Sequence, residues 1–142
     1  LNKISSLDSS FGKIKIQCAY EEIRYTKEEF VIKNKDIMKN WKIFTSKGNG
    51  GAGLLGDDKS VSILGKPYLA EPNSVCTDSL IPIGNFATKT EAENLVKYMN
   101  SKFLRFTAGI LKTSQNITQL VYQFVPIQDF TEKSDIDWSL SL

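Results

Sequence analysis

The chain has 142 residues, of which 41% are apolar and 24% are charged, and its formal net charge is +2. These proportions are typical of one globular domain, with or without a small appendage, and they indicate neither a disordered nor a fibrous protein. Histidine is absent from the sequence, which excludes Ser-His-Asp hydrolases, Cys-His proteases and histidine-dependent zinc or nuclease sites.

The cysteines, the apolar runs and the first residue predict the setting of the protein. Cys18 and Cys76 are far apart and outside any Cys-x-x-Cys pair, so we expect two free thiols and no zinc site. No apolar run approaches the roughly 20 residues of a membrane-spanning helix, and a signal peptide is not recognisable. We therefore expect a cytoplasmic protein with no membrane partner. Because the sequence begins at Leu1 rather than methionine, we expect it to be part of a longer protein.

Residues 1–73 are predicted to be mostly β-strand. Residues 13–20 alternate polar and apolar side chains, which is the period of a half-buried strand. Residues 30–32 and 41–45 are short runs of strand-favouring residues, and we expect them to complete a small antiparallel sheet.

Residues 47–59 are rich in glycine and predict a loop. A phosphate-binding P-loop needs a glycine immediately before its lysine, but Asp58 precedes Lys59. Lys42 and Lys47 border the loop, and we predict that the loop is flexible and that both lysines contact phosphates of a polyanionic partner, with a structural linker as the alternative.

Residues 74–131 are predicted to form a strand–helix–strand core. Short strands are expected at 68–70, 74–77 and 79–84, and Pro82 favours a sheet edge for the last of them or marks its end.

The helical part of this core is predicted at about 90–112. Thr88 and Glu91 have the spacing of a capping box. Apolar residues at three- and four-residue steps then indicate a helix or a pair of helices, bent near Ser101, with one continuous buried stripe. The stripe consists of Ala92, Leu95, Val96, Met99, Phe103, Phe106 and Ile110.

Another short strand is predicted within 119–126, followed by a polar tail at 132–142 in which Trp138 is the large apolar anchor. Taken together, the elements predict one α+β domain over 1–142, with small mixed or antiparallel sheets packed against the helical segment.

Residues 94–128 contain no acidic residue, which points to a polyanionic partner. The cations of this stretch are Lys97, Lys102, Arg105 and Lys112. Three of them share one helical stripe with Gly109, opposite the apolar stripe. We predict that Lys102, Arg105 and Lys112 contact phosphates and that Gly109 permits close approach of the DNA. An ordinary solvated helix face is the alternative.

The polar run that follows supplies candidates for reading bases. Thr113, Gln115 and Asn116 carry hydroxyl and amide groups, and amides can form paired hydrogen bonds with adenine in the major groove. An ordinary polar turn is the alternative.

Residues 83–106, with 111–118 and 122–131, resemble the C-terminal region of bacterial type II restriction enzymes that have a fused adenine-specific DNA methyltransferase. In that family a helix ending in a segment like Asn100-Ser101-Lys102 precedes a strand that a proline terminates, within a TaqI-like specificity domain. The resemblance is weaker over 11–73.

The resemblance implies that this domain recognises double-stranded DNA for methyltransferase or nuclease domains of the same chain. S-adenosylmethionine and Mg²⁺ would serve the parent enzyme. The Asn-Pro-Pro-Tyr and glycine-rich signatures of such a methyltransferase do not occur here, so we predict no catalytic residue, metal site or cofactor in this region.

Two other functions remain open. An RNA or single-strand binder would stack bases on exposed aromatic side chains, and Trp41, Phe44 or Tyr98 are the candidates. A protein-interaction domain would expose an apolar patch, for which Trp138 is the candidate.

Overall fold

Two three-stranded sheets and three α-helices make up the computed structural model, which describes residues 4–47, 64–111 and 122–140. The α+β fold predicted from the sequence is confirmed. None of the described helices is long and apolar enough to cross a membrane.

The first sheet has the order β2-β1-β5. Strand β1 (Ile14–Gln17) pairs antiparallel with β2 (Ile23–Thr26) and parallel with β5 (Ser74–Cys76). Ile14 and Ile16 are buried while Lys15 is exposed, so the alternation predicted for this strand is confirmed.

The second sheet is antiparallel and has the order β4-β3-β6. Its strands are β3 (Trp41–Ser46), β4 (Tyr68–Ala70) and β6 (Leu80–Phe86). Strand β6 is an edge strand, as Pro82 predicted. Ile43 of β3 packs towards the helices, whereas Phe44 packs on the other face with Ala70 and Leu80. The central strand β3 is thus covered on both faces.

The helices follow the two sheets, apart from the short α1 (Lys35–Met38) that precedes β3. Helix α2 (Lys89–Asn100) packs against β3 and β6, and α3 (Lys102–Leu111) packs against α2. The capping box is confirmed, because the Glu91 amide donates to Thr88 Oγ1 at 3.3 Å and the Thr88 amide donates to Glu91 Oε2 at 3.0 Å. The break predicted near Ser101 is confirmed as well.

The chain from 122 onwards wraps around α2. Three α2 side chains donate to its backbone carbonyls: Asn94 Nδ2 to Phe130 at 2.9 Å, Tyr98 hydroxyl to Pro126 at 3.1 Å, and Lys97 Nζ to Trp138. The rings of Phe130 and Trp138 pack with Tyr98 in the main core. Within the tail at 132–142, Trp138 is buried in this core, as expected of its large apolar anchor, and Ile136 packs against the same core.

Some predicted strands are wrong. Residues 28–30 form a 3₁₀ turn (Glu28–Phe30) instead of leading into a strand at 30–32. Residues 123–125 form a turn rather than part of a strand, so the predicted strand–helix–strand core has no closing strand among the described residues. Strand β2 was not predicted, and β5 pairs with β1 across the predicted internal boundary at 73. The glycine-rich loop beyond Lys47 lies outside the described residues.

Candidate nucleic-acid interface

Ser101 separates α2 from α3 and caps both. Its backbone is extended, with φ −63° and ψ 148°, and its amide donates to the Tyr98 carbonyl at 3.0 Å. Its side-chain hydroxyl accepts a hydrogen bond from the Leu104 amide at 3.2 Å, which is the contact of a helix N-cap. Because Ser101 is not in a helical conformation, the buried side of α3 does not continue the buried side of α2.

This change of phase decides which side of α3 is buried. Leu104 and Ala108 are completely buried in the main core. Phe103, Phe106 and Ile110 are 57%, 68% and 66% exposed. The predicted continuous apolar stripe is therefore correct along α2 and wrong beyond Ser101.

Lys102 is exposed at the first position of α3. Helix α3 contains no acidic residue, and no carboxylate among the described residues forms an ion pair with Lys102. Arg105 and Gly109 lie on the same side of the helix and are partly exposed. The structure thus brings together three of the four residues of the predicted basic stripe, and Lys112 lies outside the described residues.

Lys97 belongs to the same acid-free stretch but contacts the tail of the same chain. Its ammonium donates to the Trp138 carbonyl, and its charge also helps to lower the pKa of Asp137, whose main causes are hydrogen bonds with Ser139. The stretch is therefore free of acids in sequence, but in space one of its cations lies beside the acidic tail.

Lys42, predicted to bind phosphate, is instead a core residue. It is 1% exposed, and its ammonium donates to the carbonyls of Met38 at 3.1 Å, Asn40 at 2.9 Å and Glu71 at 3.1 Å. Burial lowers the pKa of Lys42 to about 8. All three donors are used within the fold, so the predicted contact of Lys42 with a DNA phosphate is wrong.

The burial of Lys42 follows from its position in β3. As the central strand, β3 is covered on both faces, and Lys42, which alternation places on the same face as Phe44, is buried there. The ammonium instead joins the end of α1 to the turn between β4 and β5. Lys47, by contrast, lies just after β3 and is exposed, with its amide donating to the Ser79 carbonyl at 3.0 Å.

Thr113, Gln115 and Asn116, the predicted base-reading residues, lie outside the described residues. The structure therefore neither brings them next to α3 nor separates them from it.

The aromatic residues suggested for base stacking are largely buried. Phe44 and Tyr98 belong to the core, and Trp41 is half-buried. Trp138, suggested as an exposed apolar patch, is also buried, and its indole N–H donates to the Asp129 carbonyl at 3.1 Å. The sequence does not indicate the exposed phenylalanines of α3 for this role, because their spacing fits a buried apolar stripe.

A cleft of about 470 Å³ lies between the two sheets and is lined by Phe44, Lys42 and Cys76 among others. Cys76 and Cys18 are both free thiols, as predicted. Burial raises the pKa of Cys76 to about 11 and also raises that of Cys18, so neither is a reactive thiolate near neutral pH. Among the described residues, no cluster of three potential metal ligands is found.

The surface of α3 therefore presents a cation that can bind an anion, Lys102, beside two exposed phenyl rings, those of Phe103 and Phe106. Comparison with known proteins adds no further identification, because no protein-family model, no curated protein and no solved structure matches this chain.

Proposed function

We propose that the chain is the sequence-recognising, double-stranded-DNA-binding part of a bacterial restriction-modification enzyme. The observation that carries the proposal is the outer surface of α3, a helix that contains no acidic residue. It presents the exposed ammonium of Lys102, with which no carboxylate of residues 4–47, 64–111 and 122–140 forms an ion pair. The resemblance of residues 83–106 and 122–131 to TaqI-like specificity regions supports the same function.

In this proposal Lys102 contacts a phosphate directly, and the partly exposed Arg105 contributes a second positive charge on the next turn. Gly109 lies on the same side, where the lack of a side chain permits close approach. Lys47 and Lys112 would extend the contact, and Thr113, Gln115 and Asn116 remain our predicted base-reading residues. Such contacts fix the position of the domain on the duplex, whereas base contacts supply specificity.

The reaction belongs to other parts of the proposed enzyme. S-adenosylmethionine would bind its methyltransferase domain, and Mg²⁺ its nuclease domain where one is present. The resulting setting is the bacterial cytoplasm. The role of the region described here is to choose the DNA sequence, without a catalytic residue of its own.

The direct test is fluorescence anisotropy of the chain with a labelled random duplex, at roughly 50 to 200 mM salt. We expect weak binding, with a Kd of roughly micromolar at low salt, that falls steeply as salt rises because phosphate contacts release counterions. Lys102→Ala should weaken binding to every sequence and reduce the salt slope by about one unit.

Lys89→Ala is the matched control. Lys89 is also an exposed lysine at the first position of a helix, but its ammonium pairs with Glu93 at 2.9 Å. We expect this variant to bind like the wild type. If the two substitutions weaken binding equally, Lys102 contributes only to the overall charge and makes no particular phosphate contact. Absence of duplex binding at low salt would refute the proposal.

A further inference from the structure

We propose that Phe103 and Phe106 stack on bases of the bound DNA that are unstacked from their neighbours, so that α3 recognises distorted duplex in preference to intact duplex. This inference rests on the proposed function and adds the state of the DNA that the same site prefers. It starts from the exposed side of α3, which the core does not use.

Three large apolar side chains occupy this side within about two helical turns. Phe103 and Phe106 are three residues apart, and Phe106 and Ile110 are four residues apart, so each is a surface neighbour of the next. All three are more than half exposed. A single exposed apolar residue is ordinary, but a contiguous row on one side of a helix is typical of a binding surface.

The charge around this row favours a nucleic acid. Lys102 is four residues before Phe106 and therefore its neighbour on the helix surface. Neither α3 nor residues 122–128, the first part of the next described segment (122–140), contains an acidic residue, and the acids of that segment begin at Asp129. A protein partner of any charge could cover phenylalanine rings, but a row of rings beside the exposed ammonium of Lys102 is complementary to bases attached to phosphates.

The shape of the surface favours unstacked bases over an intact duplex. In intact duplex the faces of the bases are covered by their neighbours, and the grooves present polar base edges. A phenyl ring cannot hydrogen-bond with those edges, but it can stack on the face of a base that has lost a neighbour, or act as a wedge at a flexible base step. Two rings on successive turns beside Lys102 would grip such a base and the adjacent phosphate together.

The experiment compares the chain's affinity for three labelled DNAs of the same sequence: intact duplex, duplex with a single abasic site, and single strand. We expect about tenfold tighter binding to the abasic duplex than to the intact one, the effect of one base–aromatic stacking contact. A fluorescent adenine analogue opposite the abasic site should be quenched on binding.

Phe103→Leu with Phe106→Leu in one chain removes the rings but keeps the apolar side chains, and since both positions are exposed, the fold should remain. This double variant should lose the preference for abasic duplex and keep its affinity for intact duplex. Phe124→Leu is the matched control, because Phe124 is 65% exposed but lies outside α3. It should retain the tenfold preference.

Different outcomes overturn different proposals. Loss of all DNA binding at low salt would refute the proposed function itself. Duplex binding that depends on Lys102 but is equal for intact and abasic DNA would refute only the stacking role of α3. Tightest binding to single strand would replace it with single-strand recognition. Concentration-dependent self-association that the double leucine variant abolishes would instead identify the row as a contact between two copies of the chain.

Discussion

Strand β3 and helix α3 contain the same kinds of side chain but differ in how far these side chains are buried. Each has a lysine next to large apolar residues, Lys42 beside Phe44 in β3 and Lys102 beside Phe103 and Phe106 in α3. In β3 both the cation and the ring are buried, while in α3 both are exposed. The difference does not lie in composition, and it shows that position in the fold decides whether such residues serve the core or the surface.

The physical reason is the number of covered faces. Strand β3 is bonded to β4 and β6 along its two edges and packed on both faces, so even its lysine must find partners inside. Helix α3 lies at the periphery and buries one side, through Leu104 and Ala108. On the opposite side, Lys102 and the apolar Phe103, Phe106 and Ile110 are all exposed, whatever their polarity.

The largest effect we expect is on stability, from truncating an aromatic ring in each element. Phe44→Ala should lower the free energy of unfolding by about 3 to 5 kcal/mol, because it leaves a cavity in the core. Phe106→Ala should change it by less than about 0.5 kcal/mol, since that ring is exposed. Urea denaturation of the two variants measures the contrast.

The same denaturation experiment can break the comparison. If Phe106→Ala were as costly as Phe44→Ala, the outer side of α3 would be buried in solution, and the DNA-stacking proposal would lose its starting observation. Leu104→Ala is the positive control for α3, because truncating this fully buried side chain should lower the free energy of unfolding by about 2 to 5 kcal/mol.

A smaller effect is expected from removing the two lysine charges. Lys42→Met deletes three hydrogen bonds, but the Met38 carbonyl keeps the Asn73 amide as a donor and the Glu71 carbonyl keeps the Ser74 hydroxyl. The net loss should therefore be about 2 kcal/mol in the free energy of unfolding at neutral pH, after relief of the buried charge. Lys102→Met should be close to neutral.

The pH dependence of this loss identifies the buried ammonium. The pKa of Lys42 is lowered from 10.5 to about 8 in the folded chain, so between these values the unfolded chain holds a proton that the folded chain has released. The unfolding free energy of the wild type relative to Lys42→Met should therefore rise with pH through this window, by at most about 1.4 kcal/mol per pH unit. A difference independent of pH would contradict a buried, titrating Lys42.

Much of the fold could be predicted because local patterns coincide with local structure. The alternation around Ile14 and Ile16 and the capping box at Thr88 and Glu91 each depend on a few neighbouring residues, and both predictions are confirmed. Strand β2 was missed although Ile23 and Tyr25 alternate with polar residues, and the parallel pairing of β1 with β5 has no local signal. Such pairings depend on contacts distant in sequence.

The candidate site was harder to predict because exposure is a property of the whole fold. Lys42 has no sequence feature that distinguishes it from a surface lysine, and its burial follows from β3 being central. Phe103 and Phe106 fit the period of α2, so the pattern assigned them to the core. The sequence predicts a bend near Ser101, but it does not predict that the buried side of α3 rotates, relative to that of α2, because of this break.

The smallest of these effects tests that rotation. Ser101→Ala removes the hydroxyl that accepts from the Leu104 amide, and it should cost about 1 kcal/mol of unfolding free energy, as for other N-cap substitutions. Alanine also favours helix at this position, and a continuous helix would turn Phe103 towards the core and Leu104 away from it. Amide hydrogen exchange at Leu104 should accelerate in the variant if the break is kept. If the two helices fuse, that amide should instead become protected by a bond to Asn100, and the preference for abasic DNA should disappear together with the exposed row.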